Sequence, residues 1–94
     1  MLDVIQEGGW SGDWSATNLA LGRYVLVQDP ESDWRFNNPP SVSGITIEKT
    51  LTGWPTAATV AIFTVTSTSN SISYNTWKDG NDSMYGNLWL IKIG

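Results

Sequence analysis

The groups in this chain best able to do chemistry are carboxylates: Asp3, Glu7, Asp13, Asp29, Glu31, Asp33, Glu48, Asp79 and Asp82. Nothing accompanies them that would complete a hydrolytic site. Histidine and cysteine are both absent, which excludes a Ser-His-Asp triad, a Cys-His dyad and any usual zinc centre. Carboxylates alone can cleave a glycosidic bond when two of them flank it about 5–10 Å apart. Most of the acids here fall in turn-like sequence. A chain of 94 residues rarely encloses one of them deeply enough to raise its pKa. The chain therefore reads as non-enzymatic and without a cofactor.

Two acidic stretches invite a metal. Asp79-Gly80-Asn81-Asp82-Ser83 places side-chain oxygens close together, and Asp79, Asn81 and Asp82 are its candidate calcium ligands. The stretch departs from an EF-hand loop, which needs a glycine at its sixth position and a bidentate glutamate at its twelfth. A hairpin turn accounts for the same residues, because Asp, Gly and Asn all tolerate positive φ. Asp29, Glu31 and Asp33 read as a solvated loop.

Binding chemistry falls to the aromatics. Six tryptophans in so short a chain are either core or contact surface, since each ring offers 150–250 Å² to bury. Trp89 lies in an apolar run and is assigned to the core. Trp54, beside Gly53 and Pro55, leans the same way, while Trp77 stands at a strand end. Trp10 and Trp14 sit in the glycine-rich Gly8-Gly9-Trp10-Ser11-Gly12-Asp13-Trp14, and Trp34 sits among loop residues. For these three, folding back onto a small core and standing exposed remain open alternatives. Exposed indoles beside Asp and Asn suit sugar stacking with hydroxyl hydrogen bonds, or a protein interface. The candidate ligand-binding residues are Trp10, Asp13, Trp14, Trp34 and Asn37.

The elements that must position these residues are strands. Gly22 to Gln28 is β-branched and aromatic and stops at Asp29-Pro30. Gly44 to Leu51 alternates, with Ile45, Ile47, Lys49 and Leu51 on one face and Thr46, Glu48 and Thr50 on the other. Ala58 to Thr68 is apolar on both parities at its start, as a central strand is. Ser69-Asn70 predicts a tight turn that makes a hairpin of this run and Ser71–Trp77. Asn87 to Ile93 is the closing strand, with Trp89, Ile91 and Ile93 on one face. Ser15 to Leu21 is the one candidate for a short helical turn, with Gly22 as its stop. Prolines 30, 39 and 40 make residues 29–43 a loop around a short strand at Trp34-Arg35-Phe36. The expected fold is mostly β: one domain over residues 1–94, a small antiparallel β-sandwich or knob-like domain with at most one helical turn. Residues 1–14 form a glycine- and tryptophan-rich N-terminal segment.

Charge narrows the partners. Nine acidic against five basic residues give a net charge of −4, and Arg23, Arg35, Lys49, Lys78 and Lys92 are scattered. Neither a nucleic-acid backbone nor an anionic membrane finds the positive patch it needs. The first residues lack the basic start and apolar run of a signal peptide.

The middle of the chain resembles the knob-type modules of bacteriophage and pyocin tail fibres. The residues carrying the resemblance are Asn18-Leu19, then Gly22-Arg23-Tyr24-Val25, then Asn37-Asn38-Pro39-Pro40 and the strand Ile45-Thr46-Ile47. Trp89 and Ile91 take the place of a tryptophan-containing final strand, so the likeness extends over residues 13–93. The second tryptophan of the usual closing pair and the arginine of the penultimate strand are missing. The resemblance implies a virion tail or fibre component, a homo-oligomer of trimeric type, made in the host cytoplasm and contacting a surface glycan or another virion protein. The alternative is a stand-alone carbohydrate-binding module of a bacterial glycan-degrading system. A third reading is an architectural oligomerisation domain with every tryptophan buried.

Overall fold

The computed structural model describes the backbone of residues 2–11, 13–30, 35–36, 40–52, 59–77 and 85–94. Side chains are described for residues 2–9, 13–27, 40–49, 61–75 and 87–94. Among the described residues all regular structure is strand, in antiparallel sheets, so the expected mostly β sandwich is what forms.

The larger sheet has five strands in the order β1 (Asp3–Ser11), β10 (Tyr85–Lys92), β3 (Gly22–Pro30), β7 (Thr59–Val65) and β6 (Ile45–Thr52). Each of its three inner strands carries four consecutive apolar residues, Tyr24 to Val27, Val60 to Phe63 and Leu88 to Ile91, as suits a strand flanked by neighbours on both sides. Leu26 of β3 lies between Leu90 of β10 and Ala61 of β7, and Tyr24 lies opposite Phe63. These side chains all face one way. Tyr24 and Phe63 stack with centroids 5.4 Å apart and planes 9° from parallel. The Tyr24 hydroxyl donates to the Ala20 carbonyl at 2.7 Å, which satisfies its polar end.

The smaller sheet, β2 (Trp14–Thr17), β8 (Ser71–Tyr74) and β5 (Ser41–Ser43), covers this face. Trp14 and Ala16 of β2 and Ile72 and Tyr74 of β8 complete the core. A short pair, β4 (Arg35–Phe36) with β9 (Thr76–Trp77), forms a separate two-stranded sheet.

Several expectations change. Ser15–Leu21 does not form a helical turn. Trp14 to Thr17 alternates in and out with a period of two, as a half-buried strand does, and the chain reverses at Asn18 with φ of 57°. Nor do β7 and β8 form a hairpin. They belong to different sheets, and residues 66–70 carry the chain across the sandwich. The crossings from β2 to β3 and from β5 to β6 run alongside. Asn70, 6% exposed, ties two of them together. Its side-chain oxygen accepts from Leu19 N, and its amide donates to the carbonyls of Leu19 and Ser67, each at 2.9 Å. The Gly44 carbonyl, at the third crossing, accepts from Thr66 N at 2.9 Å. Gly44 has φ of 67°, and a Cβ there would run into the carbonyl oxygen of Ser69. Asn and Gly stand where they do because a buried corner must satisfy every backbone group it exposes.

Two faces also differ from the sequence pattern. Trp89, Ile91 and Ile93 do share a face, but Leu88 and Leu90 take the core and Trp89 is only half-buried on the outer side. Both parities of β10 are apolar, so the period alone cannot choose between them. Lys49 leaves the face of Ile45 and Ile47, because a bulge between Ile47 and Lys49 reverses the parity and sets Lys49 opposite Ile62.

Candidate functional site: a cleft on the first strand

Asp3–Ser11, within the glycine- and tryptophan-rich N-terminal segment, is a strand. It pairs with β10 along its length, with Gln6 opposite Leu90, Glu7 opposite Trp89 and Gly8 opposite Leu88. Leu88 and Leu90 face the core, so Gln6 and Gly8 open on that same side. Gly8 has φ of 130°, and a Cβ added to it would meet nothing within 4 Å. The space is part of a cleft of about 380 Å³ along the edge of the sandwich. Leu88 and Trp14 form its apolar walls. Gln6, Gly8 and Gly9 run along β1, and Ile5 closes one end. Ile5 is the extra residue of a bulge between Val4 and Gln6 and is 39% exposed. Glu7 borders the cleft too, although its register opposite Trp89 turns its side chain to the outer face.

One hydrogen bond organises the walls. The Trp14 indole N–H donates to Gln6 Oε1 at 2.9 Å. Indole nitrogen only donates, so Gln6 must present its oxygen and turn its NH2 the other way. Trp14 also packs on Tyr74 with centroids 6.3 Å apart. The cleft thus has a fixed indole, an aliphatic floor, a side-chain amide and a stretch of strand backbone. β1 pairs with β10 alone, and an edge strand leaves alternate N–H and C=O groups for a further chain. The volume lies near the lower end of ligand sites, which suits one compact group.

Of the residues singled out for binding, the structure brings Trp14 into this cleft, but as a wall. At 6% exposure it is a core residue that shows only a small part of itself to the cleft, which corrects its placement in a loop. Asp13 is exposed at the entry to β2, next to Trp14 in sequence but outside the cleft lining. Trp10 lies on β1 opposite Gly86, in a strand and not a loop, and its side chain is outside the described residues. Trp34 and Asn37, and the calcium candidates Asp79, Asn81 and Asp82, lie outside the described residues altogether. Gln6, Gly8 and Leu88 escaped the sequence reading. The signal available for them was a glycine pair inside a strand, which marks open space or close backbone approach.

The shifted titrations lie away from the cleft. The Thr64 hydroxyl and the Arg23 guanidinium hold the Glu48 carboxyl below its usual value. The hydroxyl donates at 2.7 Å and the ion pair measures 2.9 Å. Burial raises the Tyr24 phenol, and Asp3 adds to it. Burial alone pushes Tyr74 up to about 12. Among the described residues no group of three or more His, Cys, Asp or Glu gathers to hold a metal ion. Compared with protein-family models, with curated proteins and with solved structures, the chain matches none.

Proposed function

We propose that this domain is a non-catalytic recognition module of a virion tail or fibre, and that it takes hold of an extended segment of another virion protein along β1. The cleft over Gly8 carries the reading. A peptide laid antiparallel or parallel to β1 would pair with its outward backbone groups, and one of its apolar side chains would enter between Trp14 and Leu88. Gly8 and Gly9 keep the strand low enough for that approach. The virion setting rests on the tail-fibre resemblance of residues 13–93. A surface glycan is the competing ligand, and its case rests on Trp10 and Trp34, because the Trp14 ring is buried.

The test is a panel of display-selected nine-residue peptides and of bacterial surface oligosaccharides, titrated against isotope-labelled protein. The reporters are the Trp14 indole N–H and the amides of Gly8 and Gly9. Saturable shifts there with peptides are expected. Ile5→Asp, at an exposed wall position, should weaken binding by about tenfold without lowering the melting temperature. Shifts there with oligosaccharides alone would move the function to glycan recognition, and silence from both classes would remove the cleft as a site.

A further inference from the structure

The five-stranded sheet has a second face, turned away from the core, and it lacks a solvated character. Trp89 lies beside Val27, and Ile91 lies beside Val25, which lies beside Ile62. All five are half-buried. Ile93 extends the row, its N–H donating to the Arg23 carbonyl at 2.7 Å, and Val4 at the β1 edge is 51% exposed. An antiparallel sheet facing water normally alternates apolar inward with polar outward. Here both parities are apolar over Leu88 to Ile91 of β10 and Tyr24 to Val27 of β3. Among the residues whose side chains are described, the charges of this face are Glu7 on β1, Lys49 on β6 and the Arg23–Glu48 pair at one end.

We propose that this face packs against the same face of a second copy of the chain, across a two-fold axis parallel to the strands. That operation lays β1 of one copy over β6 of the other. Glu7 stands in the row of Trp89 and Lys49 in the row of Ile91. These rows are two residues apart, or about 6.6 Å along a strand, which a lysine side chain spans. The two-fold makes the Glu7–Lys49 pairing twice, at both margins of the apolar row that runs through Trp89, Val27, Ile91, Val25 and Ile62. This is the self-complementary pattern that an isologous interface requires. Five strands about 4.8 Å apart and about seven residues long give a face of roughly 550 Å² per copy. The pair then buries about 1,100 Å², just above the ~1,000 Å² expected of a specific interface. The cleft opens on the other side of the sheet, and Glu7 on β1 borders it from the edge.

Sedimentation from about ten micromolar to about one millimolar tests this. A monomer–dimer equilibrium is expected. Ile91→Lys should weaken it by about a hundredfold. Glu7→Lys and Lys49→Glu should each weaken it by about tenfold, and the double reversal should regain most of that loss. Should Ile91→Lys fail to fold, the exposed Lys49 and Glu7 variants carry the test. A strict monomer at the highest concentration would overturn the proposal. So would an oligomer, trimeric or otherwise, that ignores these substitutions, or a double reversal as weak as its parents. Neither Ile91 nor Lys49 lines the cleft, so their variants leave peptide binding by the monomer unchanged, and failure of one reading is separable from failure of the other.

Discussion

Strand β7 serves two surfaces at once, and they differ in kind. Phe63 and Ala61 are fully buried and look into the sandwich, while Ile62 between them is only half-buried and looks out. The inner face is closed by a second sheet, by a stacked aromatic pair and by a buried asparagine at its corner. The outer face is equally apolar at its centre, but no strand of the chain covers it among the described residues. Local sequence is alike on both sides, so hydrophobicity cannot be what separates core from surface in this domain. What separates them is where the crossings at residues 18–21, 44 and 66–70 carry the chain.

The largest expected effect tests the inner face. Phe63→Ala removes a ring that is fully buried and stacked on Tyr24, and it should cost about 3–5 kcal/mol. A domain of this size has about 5–14 kcal/mol of stability, so urea denaturation should find the midpoint strongly lowered. A near-neutral result would mean that the stacked pair is not a closed core.

A smaller effect comes from alkali. Tyr74 ionises at about 12 in the folded chain, against 10.0 ordinarily. Its folded pKa is raised, so its contribution is complete below pH 10 and declines as the pH climbs from 10 toward 12, where the unfolded chain ionises first. The loss should amount to at most about 2 kcal/mol, because part of the shift is screened by solvent. Tyr24 acts in the same direction. Urea midpoints taken between about pH 9 and 12 check this, and a flat profile would show water reaching the inner face.

The smallest effect belongs to the outer face. Ile62→Thr keeps a β-branched residue in β7 and should change the stability of dilute protein by less than about 0.5 kcal/mol. The same substitution should lower the melting temperature of concentrated protein, because a dimer stabilises the folded state by mass action. Equal effects at both concentrations would make Ile62 an ordinary surface residue.

The candidate site was less legible than the fold. Gly8-Gly9 lowers strand propensity, so nothing local marks β1 as a strand, and its pairing with β10 makes it one. The residues that line the cleft are brought together by that pairing, between positions about eighty apart in the chain. Beside glycines Trp14 could fold back or stand exposed, and its alternation with Ala16 places it in the core.

By itself the sequence determined the β class, the runs that became β3, β6, β7 and β10, and the absence of histidine and cysteine chemistry. Those follow from side-chain period, branching and composition, which act locally. Tertiary structure alone decided that Ser69-Asn70 belongs to a sheet crossing instead of a hairpin, that Leu88 and Leu90 outrank Trp89 for the core, that a bulge turns Lys49 outward, and that Gly8 stands over open space. Each of these is a choice between two locally equivalent arrangements. Only the partner strand, distant in sequence, breaks the tie, through the hydrogen bonds it satisfies and the face it covers.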